Sequence, residues 1–319
     1  MLTLSTVHEA QKRISPFIYK TPLLRLNNLD EYLGCKVYSK LESFQKTNSF
    51  KVRGALNAAM SLPKDKLENG VITASSGNHG KALAYAATQL GTKAYVVVPE
   101  TAPRTQDEGI RSFGAEIVFS IPSERFNVAK KLSEEKNLSF ISPFDDYDIM
   151  AGQGTAGLEI LEQLQDADYV VVPIGGGGLI SGISTAIKET NPKIKVIGVE
   201  PAAVSRYTKS FAVGHPITLA PDSKSVADGL QTLCPGELNY PILEKYVDKI
   251  VTVEEENILK ATKLFLTEGK LLAEISSCIT LGAVLQGELK FKPEDKVVFF
   301  ISGGNIGMDQ FAKFENIDI

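Results

Sequence analysis

Tyr169-Val170-Val171-Val172-Pro173-Ile174-Gly175-Gly176-Gly177-Gly178 reads as a buried strand that runs into a loop without side chains. A short apolar run bounded by turn formers suits a strand covered on both faces. Leu179 to Glu189 then reads as a helix, and Lys195 to Glu200 as the next strand. Strand, loop, helix and strand in that order make a parallel crossover unit. Four consecutive glycines are costly in chain entropy, so a connection that binds nothing explains them poorly. Bare backbone N–H groups aimed from a helix N-terminus explain them better, as an anion site. A dinucleotide loop is the rival: Gly176-x-Gly178-x-x-Ser181 approximates that fingerprint, and Glu200 falls about twenty residues on, where a ribose-binding acid would sit.

The same alternation fills the preceding segment. Val71 to Ala74, Ala94 to Val98, Glu116 to Phe119 and Ser139 to Ile141 read as strands. Helices over His79 to Leu90, 104–113 and 124–136 separate them, and a helix over 149–164 leads back to the glycine strand. Downstream, Ile250 to Val253 and Val297 to Ile301 are strands, with helices over 254–268 and 277–288. Residues 213–238 are rich in Pro, Gly and Ser without periodicity, which predicts a long functional loop. Near the N-terminus, residues 5–15 form an amphipathic helix capped by Ser5 or Thr6. Thr21-Pro22 is extended, Lys36 to Glu42 is a strand, and Lys51 to Leu62 is a helix.

The fold class is therefore α/β, with two open, mostly parallel twisted sheets and helices on both faces. Residues 68–147 form a small domain, an excursion from a larger one built from 1–67 and 148–319. Ligands collect outside the carboxyl ends of such strands, where the glycine and serine loops of this chain fall.

Composition narrows the function. The chain has 319 residues, 43% of them hydrophobic, enough for a large core. With a net charge of −4 and no basic cluster, nothing argues for nucleic acid. Cys35, Cys234 and Cys278 are widely spaced and form no CxxC pair, which predicts reduced thiols in a cytoplasmic protein. No secretion signal or bilayer-length apolar run is evident, and there is no fixed-period repeat.

Three more stretches carry chemistry: Ser49-Phe50-Lys51-Val52-Arg53-Gly54, Ser75-Ser76-Gly77-Asn78-His79-Gly80 and Ser302-Gly303-Gly304-Asn305. Singly, each has a bland explanation. A lone lysine is usually solvated, Ser-Gly-Asn is ordinary turn chemistry, and Ser302 ends a core strand. With the glycine loop they supply an amine able to form a Schiff base, a hydroxyl and amide loop, a phosphate cradle and a second serine turn. That set fits pyridoxal 5′-phosphate, an aldehyde with a phosphate tail and a pyridine nitrogen. The dinucleotide reading leaves three of the four stretches unexplained and ranks far second.

On these motifs the chain resembles the serine racemase and serine/threonine dehydratase family, the fold-type II pyridoxal-phosphate enzymes, from about Ile14 to about Gly307. The resemblance makes Lys51 the lysine that holds the cofactor, with Phe50 beside it, and places the phosphate on Gly175, Gly176, Gly177, Gly178 and Leu179. It gives Ser302 to the pyridine nitrogen and Asn78 to the ring oxygen, and Gly229 and Glu274 to the cofactor's surroundings. Ser75, Ser76, Asn78 and His79 bind the substrate carboxylate, and Ser76 is also the catalytic hydroxyl on the face opposite Lys51. Thr232 belongs near the substrate side chain, and Arg125 matches an arginine that contacts a bound dicarboxylate in the racemases. A neutral hydroxyl at Ser302 leaves the ring a weaker electron sink, which suits fast loss of a β-substituent.

Three departures from the family pattern stand out. Asn48 takes the place of a common glycine and tolerates a left-handed backbone. Glu274-Ile275-Ser276-Ser277 replaces the more usual Glu-Pro. The racemase branch binds a divalent ion with a glutamate, a carbonyl and an aspartate after Val-Glu-Pro. Here Glu200 and Pro201 match, but Arg206 stands at the aspartate position. The expectation is no Mg²⁺ or Ca²⁺ there, the arginine supplying the charge and pairing with Glu200. The resemblance implies deamination of L-serine or L-threonine to a 2-oxo acid and ammonia by a homodimer, with serine racemisation at the same site. Racemase or hydroxyaspartate dehydratase as the main activity is the alternative, and an NAD-dependent oxidoreductase the remote one.

Overall fold

The computed structural model describes residues 1–75, 77–101 and 104–319, without the side chains of 104–106. The strands are β1 Leu23–Arg25, β2 Lys36–Leu41, β3 Val71–Ala74, β4 Ala94–Pro99, β5 Glu116–Ser120, β6 Ser139–Phe140, β7 Tyr169–Pro173, β8 Lys195–Pro201, β9 Lys249–Val253 and β10 Lys296–Ile301. They form a six-stranded sheet in the order β1-β2-β10-β7-β8-β9 and a four-stranded sheet in the order β5-β4-β3-β6. Among the described residues, only the strand β1, a three-residue edge strand after Thr21-Pro22, runs antiparallel to its neighbour.

Alternation along the central strands explains the layers. On β7 and β10, Val171, Val297 and Phe299 face one core, with Ile258, Phe265 and Ile279 from the helices Glu255–Thr267 and Ile275–Leu285. Val170, Val172, Val298 and Phe300 face the other, with Ile160 and Ile183 from the helices Tyr147–Gln163 and Gly178–Thr190. Successive side chains point to opposite faces, so a strand covered twice must be apolar throughout. The small sheet repeats the arrangement. Val71, Val96 and Val98 pack on Leu83 and Ala87, and Ile72 and Val97 pack on Ala129 and Leu132.

The helix Lys51–Ser61 lies across the helix Tyr147–Gln163, and glycines make the crossing close. A Cβ on Gly152 would lie 2.6 Å from the Gly54 Cα, and one on Gly54 would lie 2.4 Å from Gln153 Nε2. Under this crossing sits a buried ionic group. Arg53 bonds both Glu42 and Glu159, and Lys40 bonds Glu159.

Several boundaries move for identifiable reasons. The first helix is Leu4–Ile14, capped by Thr3 in a reciprocal box with Thr6 rather than by Ser5 or Thr6. Asp146 caps the helix that begins at Tyr147, two residues before the expected start, by accepting from the amides of Asp148 and Ile149. The helix expected over 277–288 spans Ile275–Leu285 and begins directly after Glu274. Among the described residues, no helix is long and apolar enough to cross a membrane.

Candidate active site

The Lys51 amine is half-buried at the start of its helix and donates to the Pro143 carbonyl at 2.7 Å. Pro143 follows β6, at the carboxyl edge of the small sheet, while the helix of Lys51 packs on both the helix Tyr147–Gln163 and the helix Asn78–Leu90. Burial pushes the Lys51 amine down to about 8, against the opposing pull of the Glu274 carboxylate. A substantial fraction is therefore the neutral nucleophile near physiological pH. The turn before it closes as expected. Asn48 has φ 56°, in the left-handed region, and its carbonyl accepts from the Gly304 amide at 2.9 Å. The Phe50 amide in turn donates to the Ser302 carbonyl at 3.0 Å.

Glu274 ties the three motifs together. It accepts from Asn78 Nδ2 at 2.9 and 3.2 Å, and Asn78 Oδ1 accepts from Asn305 Nδ2 at 2.7 Å. Burial pushes the Glu274 carboxyl up to about 7; the Asn78 hydrogen bonds and Lys51 oppose the rise, and Asp228 adds to it. Ser302 Oγ lies 2.8 Å from Ser277 Oγ, which also accepts from the Gly303 amide at 2.9 Å. Thus the Ser276-Ser277 departure puts a second hydroxyl beside Ser302. His79 is buried as the second residue of the helix Asn78–Leu90, with Nε2 3.3 Å from the Ile141 carbonyl. Burial, with Lys51 nearby, pushes its imidazole down to about 3, so the ring is neutral and poorly placed to act as a base near pH 7.

The glycine loop is built in one sense. Arg206 donates to the Gly175 carbonyl, Tyr207 Oη and the Gly236 amide to that of Gly176, and the Ser181 amide to that of Gly177. Among the described residues, by contrast, none accepts a hydrogen bond from the amides of Gly175 to Gly178 or of Leu179. Unbonded amides at the N-terminus of a 13-residue helix suit a phosphate. Side chains are excluded by contact. A Cβ on Gly176 would lie 2.3 Å from the Phe144 ring, and one on Gly177, at φ +107°, would lie 2.2 Å from Tyr207 Oη.

The remaining residues fall at distinct places. Ser75 is half-buried in the turn after β3, and Ser76 lies outside the described residues. Gly229 donates to Ser276 Oγ at 2.9 Å, in the loop that also carries half-buried Thr232. Arg125 starts the helix Arg125–Glu135, with its Nε buried and without a hydrogen-bond partner among the described residues. No hydrogen bond joins Arg125 or Thr232 to the Lys51–Glu274 group among the described residues. Arg206 pairs with Glu200 as expected from the sequence, at the long distance of 3.9 Å between charged atoms and with both side chains fully buried, while the hydrogen bonds to Glu200 come from the amides of Tyr207 and Thr208. Among the described residues, no three His, Cys, Asp or Glu side chains cluster as metal ligands.

Sequence reasoning missed the 142–145 turn. Its Pro143 carbonyl touches the lysine, and its Phe144 lies against Gly176. Nothing local marks a carbonyl ninety-odd positions away as a lysine's partner.

The sequence pattern of the pyridoxal-phosphate dependent enzymes matches residues 14–303. This chain belongs to that family. The family's cofactor fits the site described: a desolvated amine, free amides at a helix start and a hydroxyl at the end of β10. The chain is 41% identical to a serine racemase of Dictyostelium discoideum, covering 99% of this chain and 98% of the relative. It is also 41% identical to an L-threonine ammonia-lyase of Geobacter sulfurreducens, covering 96% of this chain and 76% of that one. Maize serine racemase superposes with a TM-score of 0.93 at 35% identity, over 98% and 96% of the two chains. The protein is thus a pyridoxal-phosphate-dependent enzyme of the group that carries out elimination and racemisation on small amino acids of the serine and threonine type.

One consequence concerns Glu274. It is the group that holds the Lys51 amine up toward 8. Near pH 8 its own carboxyl, at about 7, is mostly ionised. In Glu274→Gln that support is gone, so the amine loses its proton at lower pH. The midpoint of pyridoxal-phosphate uptake by the apoprotein, followed against pH, is expected below the wild-type value. A midpoint that stays or rises contradicts the coupling.

Proposed function

We propose that the enzyme deaminates L-serine or L-threonine, the β-hydroxyl leaving as water and a water being taken back on hydrolysis so that a 2-oxo acid and ammonia are released, and that it racemises serine at the same site. The observation that carries the reading is the neutral end of β10, where Ser302 Oγ meets the Ser277 hydroxyl rather than a carboxylate. Bound in this site, pyridoxal phosphate withdraws electrons from the substrate's α-carbon. A hydroxyl partner at its ring nitrogen limits that withdrawal and favours prompt departure of a β-hydroxyl.

Lys51 serves as the base for the α-proton. Its amine, lowered to about 8 by burial, carries a usable neutral fraction near physiological pH and is aimed by the Pro143 carbonyl. Ser75, in the turn after β3, and Asn78, the first residue of the helix Asn78–Leu90, receive the substrate carboxylate where helix amides favour an anion. Ser76, the hydroxyl that the family resemblance gives as acid and base, returns the proton when the product is the other enantiomer. The names of the relatives, serine racemase and L-threonine ammonia-lyase, support both outcomes.

The test is one incubation with two readouts. L-serine should yield pyruvate and ammonia in equal amounts, with D-serine accumulating in the residual substrate, and L-threonine should yield 2-oxobutanoate. D-serine without any oxo acid would overturn elimination as the main reaction.

A further inference from the structure

The carbonyl side of the glycine loop shows how its amides are aimed. In a trans peptide the carbonyl and the following N–H point in opposite directions, and the described chain contains no cis bond. Fixing the Ile174 carbonyl therefore fixes the Gly175 N–H, and fixing that of Gly175 fixes the Gly176 N–H. Both carbonyls are held by one atom: Arg206 Nη1 donates to Ile174 at 2.9 Å and to Gly175 at 2.6 Å. Its Nη2 donates to the Leu230 carbonyl at 2.5 Å, in the turn that contains Asp228 and Gly229. The side chain is fully buried. Such a cation needs a counter-charge and hydrogen bonds: Glu200 lies 3.9 Å away, Nε has no partner among the described residues, and two of the three hydrogen bonds made by the other nitrogens are spent on the loop. Tyr207, the next residue, holds the Gly176 carbonyl in the same way.

We propose that Arg206 is a positioning residue for the cofactor phosphate: from behind the loop it turns the Gly175 and Gly176 amides toward the anion and ties the loop to the 228–230 turn. The inference rests on the reading of Gly175–Gly178 as the phosphate cradle. The guanidinium also polarises the two peptides it binds, strengthening their N–H groups as donors. A lysine keeps the charge but lacks the planar fork that reaches several carbonyls.

The test is titration of the full-length protein, stripped of cofactor, with pyridoxal phosphate and with pyridoxal, which lacks the phosphate. The visible band of the lysine-bound aldehyde reports each dissociation constant. In Arg206→Met the constant for pyridoxal phosphate should rise about tenfold or more, as loss of charge-assisted hydrogen bonds implies, while that for pyridoxal stays unchanged. Arg206→Lys should fall between, and it decides the matter if the methionine variant does not fold. Equal weakening of both ligands, or an undiminished preference for the phosphate form, overturns the assignment. A wild-type protein with no such preference overturns the cradle itself instead.

Discussion

Lys51→Ala is expected to lack the visible band of the lysine-bound cofactor and to lose oxo-acid formation by about 10³-fold or more, since one amine supplies both the covalent attachment and the proton transfer. The environment makes this amine suited to both. It is half-buried beside Phe50, fixed by the Pro143 carbonyl, and lowered to about 8 by burial. Loss of activity from unfolding is separable by sign. In the apoprotein the charged amine is penalised by burial, so Lys51 lowers stability below pH 8. The apo variant should therefore melt no lower than the apo wild type at pH 7. Retention of the band would move the attachment to another lysine.

Arg53→Met is expected to destabilise the protein by about 3–5 kcal/mol, the usual cost of stripping one partner from a buried ion pair. Arg53 is fully buried and bonds Glu42 twice at 2.8 Å and Glu159 at 2.7 and 2.9 Å. Without it, Glu42 keeps only the Thr21 hydroxyl, at 2.6 Å, as a side-chain partner among the described residues. Burial alone would raise the Glu42 carboxyl, but the charge and hydrogen bonds of Arg53, with Lys40, hold it below its ordinary value. The stability it contributes is thus present above the ordinary carboxylate value and lost as pH falls through the lower folded value. The wild type should lose more stability on acidification than Arg53→Met, because the variant has no such term left to lose. Adding Glu42→Gln should recover part of the loss in denaturant midpoint. Arg53 also lies two residues past Lys51 on one helix. The variant should therefore load less cofactor under conditions where it is still folded.

What the sequence discloses depends on how local its cause is. Strands β7 and β10 are legible because burial on both faces demands unbroken apolar runs. The glycine loop is legible because only an unusual backbone environment repays four glycines. The helices Lys64–Asn69, Arg206–Val213 and Tyr240–Tyr246 leave little trace, since one or two turns carry no reliable period. The place of β10 between β2 and β7 is set by pairings across more than a hundred residues, which no window of sequence contains. In the site, Lys51, Asn78 and Ser302 announce themselves through motifs. Pro143 acts through its carbonyl, which every residue has. Arg206 was visible as a misfit beside Glu200, but its bonds to the carbonyls of Ile174, Gly175 and Leu230 required the fold.

The covalent attachment can be read directly. Holoenzyme reduced with borohydride and digested should carry the pyridoxyl-phosphate mass on the peptide containing Lys51, in close to one copy per chain. A label on Lys40, Lys81 or another lysine, or no label at all, would contradict the account at its centre.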